Sequence, residues 1–453
     1  MKIKFIDLFA GMGGFRLGFE NACADLGIET KCVFTSEIKP HAIDVYKSNF
    51  IDSEIHGDIT QIKPSDIPGF DVLLAGFPCQ AFSSAGKRDG FNDTRGTLFF
   101  EIEKILEVHK PKCFILENVE GLVSHDKKNK EDKIGRTLTV ILQSLDNLGY
   151  KISWKVFDCR DFGLAQSRKR IFIVGNKKEK IPLENFPIIH NPLKNFLESG
   201  GDATPLKISA LLFKKFRPEE LYGKAIKDTR GGTNNIHSWD IALKGKINVN
   251  QKIILEKILR HRRYKKWAEL KGIKWMDGMP LTYKEIKSFC QIDNLRELLD
   301  DLVNKGYLAL EHPKDLMQVE AGGIVKQIRS YREDLPKGYN IVAGNLSFEI
   351  NKILDPEGFT PTLVATDINK LMVLDNQNIR RLSLKEQLRL FGFPDSFKVS
   401  IKESHAHDLF GNTLPVTVVT SIGRRLVSKV FLNKIYIEEQ KLNLNEKQKR
   451  LFL

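Results

Sequence analysis

Residues 2–14 read Lys2-Ile3-Lys4-Phe5-Ile6-Asp7-Leu8-Phe9-Ala10-Gly11-Met12-Gly13-Gly14, and this stretch decides the fold. The pattern predicts a strand over 2–9, a tight glycine turn over 10–14 and a helix that begins at Phe15. These elements begin a βαβ unit, in which glycines let the backbone approach a nucleotide-type ligand. A dinucleotide fingerprint requires a further glycine where Arg16 stands, so a pyrophosphate ligand is disfavoured. A plain turn is the alternative.

Carboxylates follow the next two predicted strands. Residues 31–36 predict a second strand that ends at Glu37, where a carboxylate can accept hydrogen bonds from both ribose hydroxyls of an adenosine ligand. Ile38 could pack on the adenine face, and Asp58, after a third strand, could accept from the adenine amino group. The alternatives are a Glu at a helix start, favoured by the macrodipole, and an Asp in a turn. Their succession at strand ends is more specific than either residue.

A cysteine ends the next buried strand, which is predicted over 71–75. The chain continues as Gly76-Phe77-Pro78-Cys79-Gln80-Ala81-Phe82-Ser83. Pro78 makes the approach to Cys79 stiff, and the polar, glycine-containing loop over 83–90 could close over a substrate. A buried structural cysteine is the alternative. A rigid thiol that faces a basic loop is a candidate nucleophile.

Two further motifs carry ionisable groups to the same region. A buried strand over 111–116 delivers Glu117 to the edge that holds the cysteine, and loss of hydration there should raise its pKa toward the range of a proton donor. In the extended segment that begins at Gln166, Arg168 and Arg170 share one face and could bind a phosphate or a base carbonyl. A helix-capping acid and a solvated basic face are the alternatives.

Together these motifs resemble those of the DNA (cytosine-5)-methyltransferases of prokaryotic restriction-modification systems. The Pro-Cys-Gln loop with its continuation over 90–100, an unaltered Glu-Asn-Val, the Gln-x-Arg-x-Arg pattern and the closing residues 411–416 follow the family's order. The resemblance covers 3–178 and 376–430. It implies an α/β fold with a doubly wound, mostly parallel sheet, which is the class I, Rossmann-like methyltransferase fold, and an inserted, smaller target-recognition domain.

The resemblance also implies a site. Cys79 would add to C6 of a flipped-out cytosine, Glu117 would act at N3, Arg168 would bind O2, and Arg170 completes the catalytic set. The cofactor would be S-adenosylmethionine, giving S-adenosylhomocysteine, bound by Asp7, Gly11, Gly13, Phe15, Glu37, Ile38, Asp58, Ile59, Pro78, Leu98, Asn412 and Thr413. Expected DNA contacts are Gln80, Ser83, Arg95, Thr362 and Leu363. No metal is expected.

The predicted domains follow the motifs. Residues 1–178 form the catalytic and cofactor-binding domain, 179–375 the target-recognition region, 376–430 the return to the catalytic domain, and 431–453 a C-terminal tail. From about residue 179 the alternating strand and helix pattern disappears, because loop-rich sequence with several prolines replaces it.

Two features stand out inside the recognition region. Residues 251–275 carry nine Lys or Arg against two Glu, half of the chain's excess positive charge, which predicts a phosphate-facing surface. A solvated helix face is the alternative. Two short helices and a strand over about 280–312 suggest a winged-helix-like unit, which could dock on DNA or serve as a packing module.

Composition limits the partners and the compartment. The 453 residues have a net charge of +14, which suits double-stranded DNA. Six scattered cysteines without short paired spacing argue against a disulfide framework and a zinc site. The sequence shows neither a leader pattern nor a run of 18 apolar residues, so we expect a cytoplasmic protein without membrane association. A restriction endonuclease for the same DNA site would be a functional partner, with no physical complex implied.

Three other classes of protein are alternatives. An RNA-directed enzyme of the tRNA branch would carry a Cys-Phe-Thr motif and a short recognition region, and neither occurs here. An inactive DNA-binding scaffold is disfavoured because Cys79, Glu117 and Arg168 are all present. A nicotinamide-dependent oxidoreductase is disfavoured by Arg16 and leaves Pro78-Cys79 unexplained.

Overall fold

The structure is a computed structural model of the full chain. It describes residues 1–77, 98–129, 131–200, 208–228, 234–274, 278–321, 324–343, 350–375 and 378–433. Pro78, Cys79, Gln80, Ser83 and Arg95 of the predicted site therefore lie outside the described residues, as does most of the C-terminal tail.

The chain forms two compact units. The first comprises Met1–Glu198, Pro356–Ile368 and Ser383–Leu453, and the second comprises Ser199–Asp355 and Asn369–Leu382. Residues 356–368, which we predicted within the recognition region, thus belong to the first unit. The reason is backbone pairing: the Ser167 N–H donates to the Thr360 carbonyl at 2.8 Å, and the Thr360 N–H donates to the Ala165 carbonyl at 2.8 Å.

The described strands, in chain order, are β1 (Lys2–Leu8), β2 (Glu29–Ser36), β3 (Ile55–His56), β4 (Val72–Gly76), β5 (Cys113–Val119), β6 (Lys151–Asp158), β7 (Lys169–Asn176), β8 (Ala225–Ile226), β9 (Asn235–Ile236), β10 (Leu308–Glu311), β11 (Lys314–Ala321), β12 (Ile324–Tyr331), β13 (Gly338–Ile341), β14 (Lys352–Ile353), β15 (Leu371–Asp375) and β16 (Asn378–Arg381). The described helices are α1 (Gly14–Ala24), α2 (Pro40–Asn49), α3 (Leu98–His109), α4 (Arg136–Asn147), α5 (Ser209–Lys215), α6 (Pro218–Leu221), α7 (Val249–His261), α8 (Lys266–Lys271), α9 (Tyr283–Lys287), α10 (Leu295–Asn304), α11 (Leu384–Arg389), α12 (Glu403–Asn412) and α13 (Val416–Phe431).

The first unit is built on a seven-stranded sheet, counted over the described residues, in the order β3-β2-β1-β4-β5-β7-β6. Strands β3, β2, β1, β4 and β5 are parallel, whereas β7 pairs antiparallel with both β5 and β6. The chain reverses direction along the sheet between β1 and β4, which creates the crevice where α/β proteins bind ligands. The predicted doubly wound, mostly parallel α/β fold is confirmed.

The central strands are apolar because both faces of the sheet are covered. Leu73, Leu74 and Ile115 are fully buried, as expected for parallel strands between two helical layers. The predicted strand over 111–116 runs instead over Cys113–Val119, so Glu117 lies inside β5 and not after it. The backbone of Glu117 is therefore fixed by pairing with β4 on one side and β7 on the other.

The last helix, α13, closes the first unit by packing on α1. A side-chain carbon at Gly18 would lie 2.7 Å from the side chain of Val419, and one at Gly423 would lie 2.8 Å from Cβ of Ala22. Only glycine permits this close approach of the two helices. The approach brings the segment that precedes α13 to the carboxyl edge of the sheet, beside the glycine turn.

The second unit has its own core. Apolar side chains of α7, α9, α10, β10 and β13 form one buried cluster, which includes Leu255, Leu299 and Tyr339. A separate five-stranded sheet, in the order β16-β15-β14-β8-β9 over the described residues, packs against a second cluster. Strands β11 and β12 pair antiparallel with each other as a hairpin.

Within the described part of the chain, every helix is too short or too polar to cross a lipid bilayer.

Candidate active site

A cavity of about 340 Å³ opens at the carboxyl ends of β1, β2, β4 and β5 in the first unit. Most of the predicted cofactor-binding residues contribute to its wall. These are Gly11, Phe15, Glu37, Ile38, Asp58, Ile59, Leu98, Asn412 and Thr413. Glu117 and Arg170 of the predicted catalytic set line the same cavity. One cavity wall therefore brings together predicted residues that are separated by up to about four hundred positions in the sequence.

The tight glycine turn that the sequence predicts has backbone angles that favour glycine. Gly11 and Gly13 adopt positive φ angles of 55° and 91°, which favour glycine. A side chain at Gly13 would also lie 2.3 Å from the Phe50 ring. Gly13 is not among the residues that line the cavity; it shapes the turn and begins α1. Arg16 is directed away from the turn, with Nη2 at 2.8 Å from the Asp52 carboxylate.

Glu37 is fixed at the cavity wall by three backbone donors. Its Oε2 accepts from the Gly11 N–H at 2.7 Å, and its Oε1 accepts from the N–H groups of Ile38 and Lys39 at 2.8 Å each. An ionised carboxylate has about four acceptor positions, so Oε2 retains capacity for a ligand hydroxyl. Glu37 therefore ties the glycine turn to the end of β2 and presents a negative group to the cavity.

The wall also contains an apolar side chain and a second carboxylate. Ile38 lines the cavity and is 66% exposed, so it offers an apolar face that a flat ring could cover. Asp58 accepts from the N–H and the hydroxyl of Thr60 through Oδ1, both at 2.9 Å. Asp58 thus has the turn-capping role that was the alternative and also lines the cavity.

The position of Asp7 differs from the one predicted. It was expected at the cofactor, but its side chain is fully buried and accepts a hydrogen bond from the Tyr46 hydroxyl at 3.1 Å. Burial raises the pKa of Asp7 to about 8. Because β1 continues through Leu8 before the turn begins, Asp7 lies inside the core and below the cavity wall.

Glu117 and Arg170 form an ion pair in the cavity wall. Arg170 Nε lies 2.8 Å from Glu117 Oε1, and the two side chains are 13% and 11% exposed. The antiparallel pairing of β5 with β7 places Val119 opposite Arg170, so the pair bridges adjacent strands. Burial raises the pKa of Glu117, and the positive charges of Arg170 and Arg168 oppose that rise without reversing it.

The position of Arg168 also differs from the one predicted. It is fully buried, and its guanidinium donates to the carbonyl oxygens of Leu363 at 3.3 Å, Gly411 at 2.9 Å and Thr413 at 2.5 Å. It is not among the residues that line the cavity, so the predicted contact with a base carbonyl does not fit its position. Arg168 precedes β7, and the shared-face argument with Arg170 fails because only Arg170 stands in the regular strand.

The predicted DNA contacts Thr362 and Leu363 have structural roles in the first unit. Leu363 is fully buried, and its N–H donates to the side-chain oxygen of Gln166 at 3.1 Å. The hydroxyl of Thr362 donates to the Ser167 carbonyl. This segment is fastened to the residues that precede β7, so these two side chains are directed into the unit.

Sequence reasoning missed a polar cluster at the cavity rim. Asp408 Oδ2 lies 2.7 Å from Lys39 Nζ and 3.0 Å from His41 Nε2. Asp408 Oδ1 accepts from the side-chain amide of Asn412 at 3.1 Å. Lys39 and Asn412 both line the cavity, so Asp408 joins its two sides. The partners are 369 residues apart, and no local pattern could have indicated the contact.

Asn118 was also missed as an individual residue, although its motif was noted. Its side-chain amide donates to the Phe77 carbonyl at 3.3 Å, and its side-chain oxygen accepts from the Val119 N–H at 2.8 Å. Phe77 is the last described residue before the predicted nucleophile. Asn118 therefore holds the start of that segment against the end of β5.

The donor set suits an adenosine-containing cofactor. Carboxylates follow two successive strands at the cavity, and an exposed apolar side chain and glycine backbone line the same space. Across the described ranges, no group of three or more His, Cys, Asp or Glu side chains is placed to hold a metal ion.

This sheet order, with a ligand cavity at the switch between β1 and β4, defines a class I methyltransferase. The chain belongs to the C-5 cytosine-specific DNA methylase family, whose model matches residues 3–428. It is similar to the Type II methyltransferase M.NlaIV of Neisseria lactamica, with 56% identity over 427 residues, covering 94% of this chain and 99% of that protein.

Two further relatives match over nearly their whole length. M.NgoBV of Neisseria gonorrhoeae is 54% identical over 427 residues, covering 94% of this chain and 99% of its own. M.HgiCI of Herpetosiphon aurantiacus is 38% identical over 446 residues, covering 93% and 96%. Both are described as Type II methyltransferases. The match includes the second unit, so the predicted family, enzyme class and restriction-modification type are confirmed.

Proposed function

We propose that this protein transfers a methyl group from S-adenosylmethionine to carbon 5 of a cytosine within one short sequence of double-stranded DNA. The observation that carries the proposal is the buried Glu117–Arg170 pair, which lines the same cavity as Glu37 and Asp58. An acid poised to act on a base thus adjoins a site for an adenosine. Membership in the C-5 cytosine-specific DNA methylase family supports this assignment.

The cofactor would be held by the wall residues already described. Glu37 would accept from the ribose hydroxyls, Asp58 from the adenine amino group, and Ile38 would cover the adenine ring. Asn412 and Thr413 would border the opposite side. When bound, S-adenosylmethionine supplies an electrophilic methyl group. The residues around it orient that group toward the base and exclude water.

Cytosine C5 is a weak nucleophile and must be activated by the protein. In the proposed mechanism the Cys79 thiolate forms a bond to C6, and the displaced electron pair makes C5 enamine-like. Glu117 donates its proton or a hydrogen bond to N3 as this charge develops. Arg170 takes the contact with O2 that the sequence assigned to Arg168, because Arg170 lines the cavity.

Turnover then restores the cysteine. After C5 has gained the methyl group, a base removes the C5 proton and the C6–sulfur bond breaks by β-elimination. The cytosine must leave the helix for these steps, which requires a few kcal/mol of unstacking. Biologically, we propose that the enzyme acts in the prokaryotic cytoplasm and protects host DNA from an endonuclease with the same recognition site.

The deciding experiment is transfer of labelled methyl from S-adenosylmethionine to unmethylated bacterial genomic DNA, followed by bisulfite sequencing. Conversion-resistant cytosines in one short recurring context are the expected result. Labelled tRNA with unlabelled DNA would instead support the RNA-directed alternative. Cofactor binding without labelling of either nucleic acid would indicate an inactive scaffold.

A further inference from the structure

The second unit contains the element order of a winged-helix unit. Helix α7 is followed by Leu281, which forms an isolated antiparallel bridge with Tyr339 of β13. Helices α9 and α10 come next, and β10 then pairs antiparallel with β13. In helix-turn-helix proteins the second helix of the pair enters the major groove. By position, α10 would be that helix.

The charge on α10 opposes this docking. Its exposed positions include Glu297 and Asp300 against Arg296, and Asp293 is exposed just before the helix. The Arg296 guanidinium lies over the Tyr283 ring at 4.3 Å, within the unit's own surface. A net acidic face is repelled by DNA phosphates, so α10 lacks the charge that brings such a helix to a groove.

The basic segment 251–275 does not present all of its charges to solvent. Lys252 pairs with Asp240, Lys271 pairs with Glu285, and Arg262 is buried. The phosphate-facing surface predicted over 251–275 is therefore limited to those basic side chains that are exposed and not paired within the unit.

That surface is the α7–α8 turn, which we define as residues 260–266. Arg260, Lys265 and Lys266 are exposed there. Tyr264 is 42% exposed and can donate its hydroxyl to an anion.

The turn is anchored from beneath. Arg262 Nη1 donates to the side-chain oxygen of Asn340 at 2.7 Å. The Trp267 indole N–H donates to the His261 carbonyl at 2.9 Å. These contacts hold the ends of the turn against the core, so the backbone that carries the exposed cations is already ordered before it binds a ligand.

His261 reports the positive field at this turn. Its ring stacks on Phe289 with centroids 3.8 Å apart. Burial lowers the pKa of His261, and the charges of Lys266, Arg260 and Lys257 lower it further. Three cations therefore act on one point of the surface.

We infer that the α7–α8 turn, and not α10, is the phosphate-contact surface of the second unit. Arg260, Lys265 and Lys266 would each neutralise a backbone phosphate of the duplex. Such contacts position a protein on DNA without reading its sequence. The inference rests on the proposed function, because it takes double-stranded DNA as the substrate.

The test compares two full-length variants that lose the same charge. Arg260→Gln/Lys265→Gln changes the turn and spares Lys266, whose Nζ lies 4.3 Å from the Trp267 ring centroid. Lys214→Gln/Lys215→Gln changes two exposed lysines on α5 and serves as the control. Binding to duplex DNA is measured over a series of salt concentrations, with thermal unfolding to verify folding. The single variant Lys265→Gln replaces the double variant if the latter unfolds early.

Loss of two phosphate contacts should lower the slope of log affinity against log salt by about two, with affinity falling roughly tenfold at physiological salt. The control should retain the wild-type slope. The inference is overturned if the turn variant matches wild type, or if Arg296→Gln on α10 lowers the slope instead. Equal losses in turn variant and control would also overturn it, since net charge would then explain both. Failure of the proposed function is separate: wild-type protein would bind duplex DNA and leave it unmethylated.

Discussion

Glu117 and Arg170 lie 2.8 Å apart, Oε1 to Nε, in the cavity wall, and both side chains are almost fully buried. Two opposing effects act on the pKa of Glu117. Burial raises the pKa of Glu117, and Arg170 lowers it. The pKa of Glu117 is therefore raised and depends on the charge of Arg170, the cation that would contact the base.

The pH dependence of turnover should follow this pair. The protonated form of Glu117 is lost as pH rises through its raised pKa, so methyl transfer should decline on the alkaline side. In Arg170→Gln a pKa-lowering charge is removed, so the alkaline decline should move to higher pH. The rate itself should fall roughly 10²- to 10³-fold, because one stabilising donor is lost. The measurement is kcat against pH.

Lys169→Gln is the matched control for that experiment. Lys169 neighbours Arg170 on β7 and pairs with Glu120 at 3.5 Å, where both side chains are about half exposed. Its rate and pH profile should equal those of wild type. A similar shift in this variant would mean that general charge, and not the Glu117–Arg170 contact, sets the profile.

Arg168 should matter for stability more than for chemistry. Its guanidinium holds the carbonyls of Leu363, Gly411 and Thr413 together, and Arg168→Gln would leave buried acceptors without that donor. We expect the free energy of unfolding to fall by about 3 kcal/mol, measured by urea denaturation. Arg170→Gln should lose less stability and more turnover. The reverse ranking would restore Arg168 as the catalytic arginine.

Asp408 should act on cofactor affinity. It joins Lys39 to Asn412 across the cavity rim, so Asp408→Asn should raise KM for S-adenosylmethionine about threefold, a modest effect in line with a partly exposed ion pair, and leave kcat unchanged. The reversed pair Lys39→Asp/Asp408→Lys should bring KM for S-adenosylmethionine back toward the wild-type value. Glu403→Gln, on the same helix, is the control. Among the contacts described, Glu403 pairs only with His407, at 3.5 Å, so its substitution should leave KM unaltered.

The role of Cys79 as the nucleophile can be tested by covalent trapping. DNA that contains 5-fluorocytosine blocks the final β-elimination, so wild-type protein with cofactor should give a covalent complex that survives denaturing electrophoresis. Cys79→Ser should form none and lose turnover while still binding DNA. Cys32→Ser is the control, because burial raises the pKa of Cys32 to about 11 and leaves it a poor nucleophile. Trapping in Cys79→Ser would reassign the nucleophile.

The packing of α1 on α13 offers a structural prediction. Gly18→Ala would place a carbon 2.7 Å from the Val419 side chain, which is overpacking and should lower the free energy of unfolding by about 2 kcal/mol. Because α13 follows the residues of the cavity rim, cofactor affinity should weaken as well. Gly69→Ala, with open space around the added carbon, should be close to neutral. Equal effects at both sites would argue against the close helix contact.

The fold, and the residues at the centre of the cavity wall, followed from local patterns. The glycine turn, the apolar strands and the carboxylates after strands each reflect a constraint within a few residues. These are the positive φ at Gly11 and Gly13, the burial of β4 and β5, and the end of β2 directly before Glu37. Because parallel strands end at one edge, the sequence by itself determined that these residues converge. It also determined the family.

Contacts between distant segments decided the rest. Arg168 lies outside the cavity wall because it precedes β7 and donates to carbonyls of residues far away in the sequence. Arg170 lies in the wall because it stands in β7 and pairs with Glu117. Asp408 joined the cavity rim through Lys39 for a similar reason. Which arginine meets carbonyls and which meets the cavity depends on how separate segments pack, and neither residue type nor spacing carries that information.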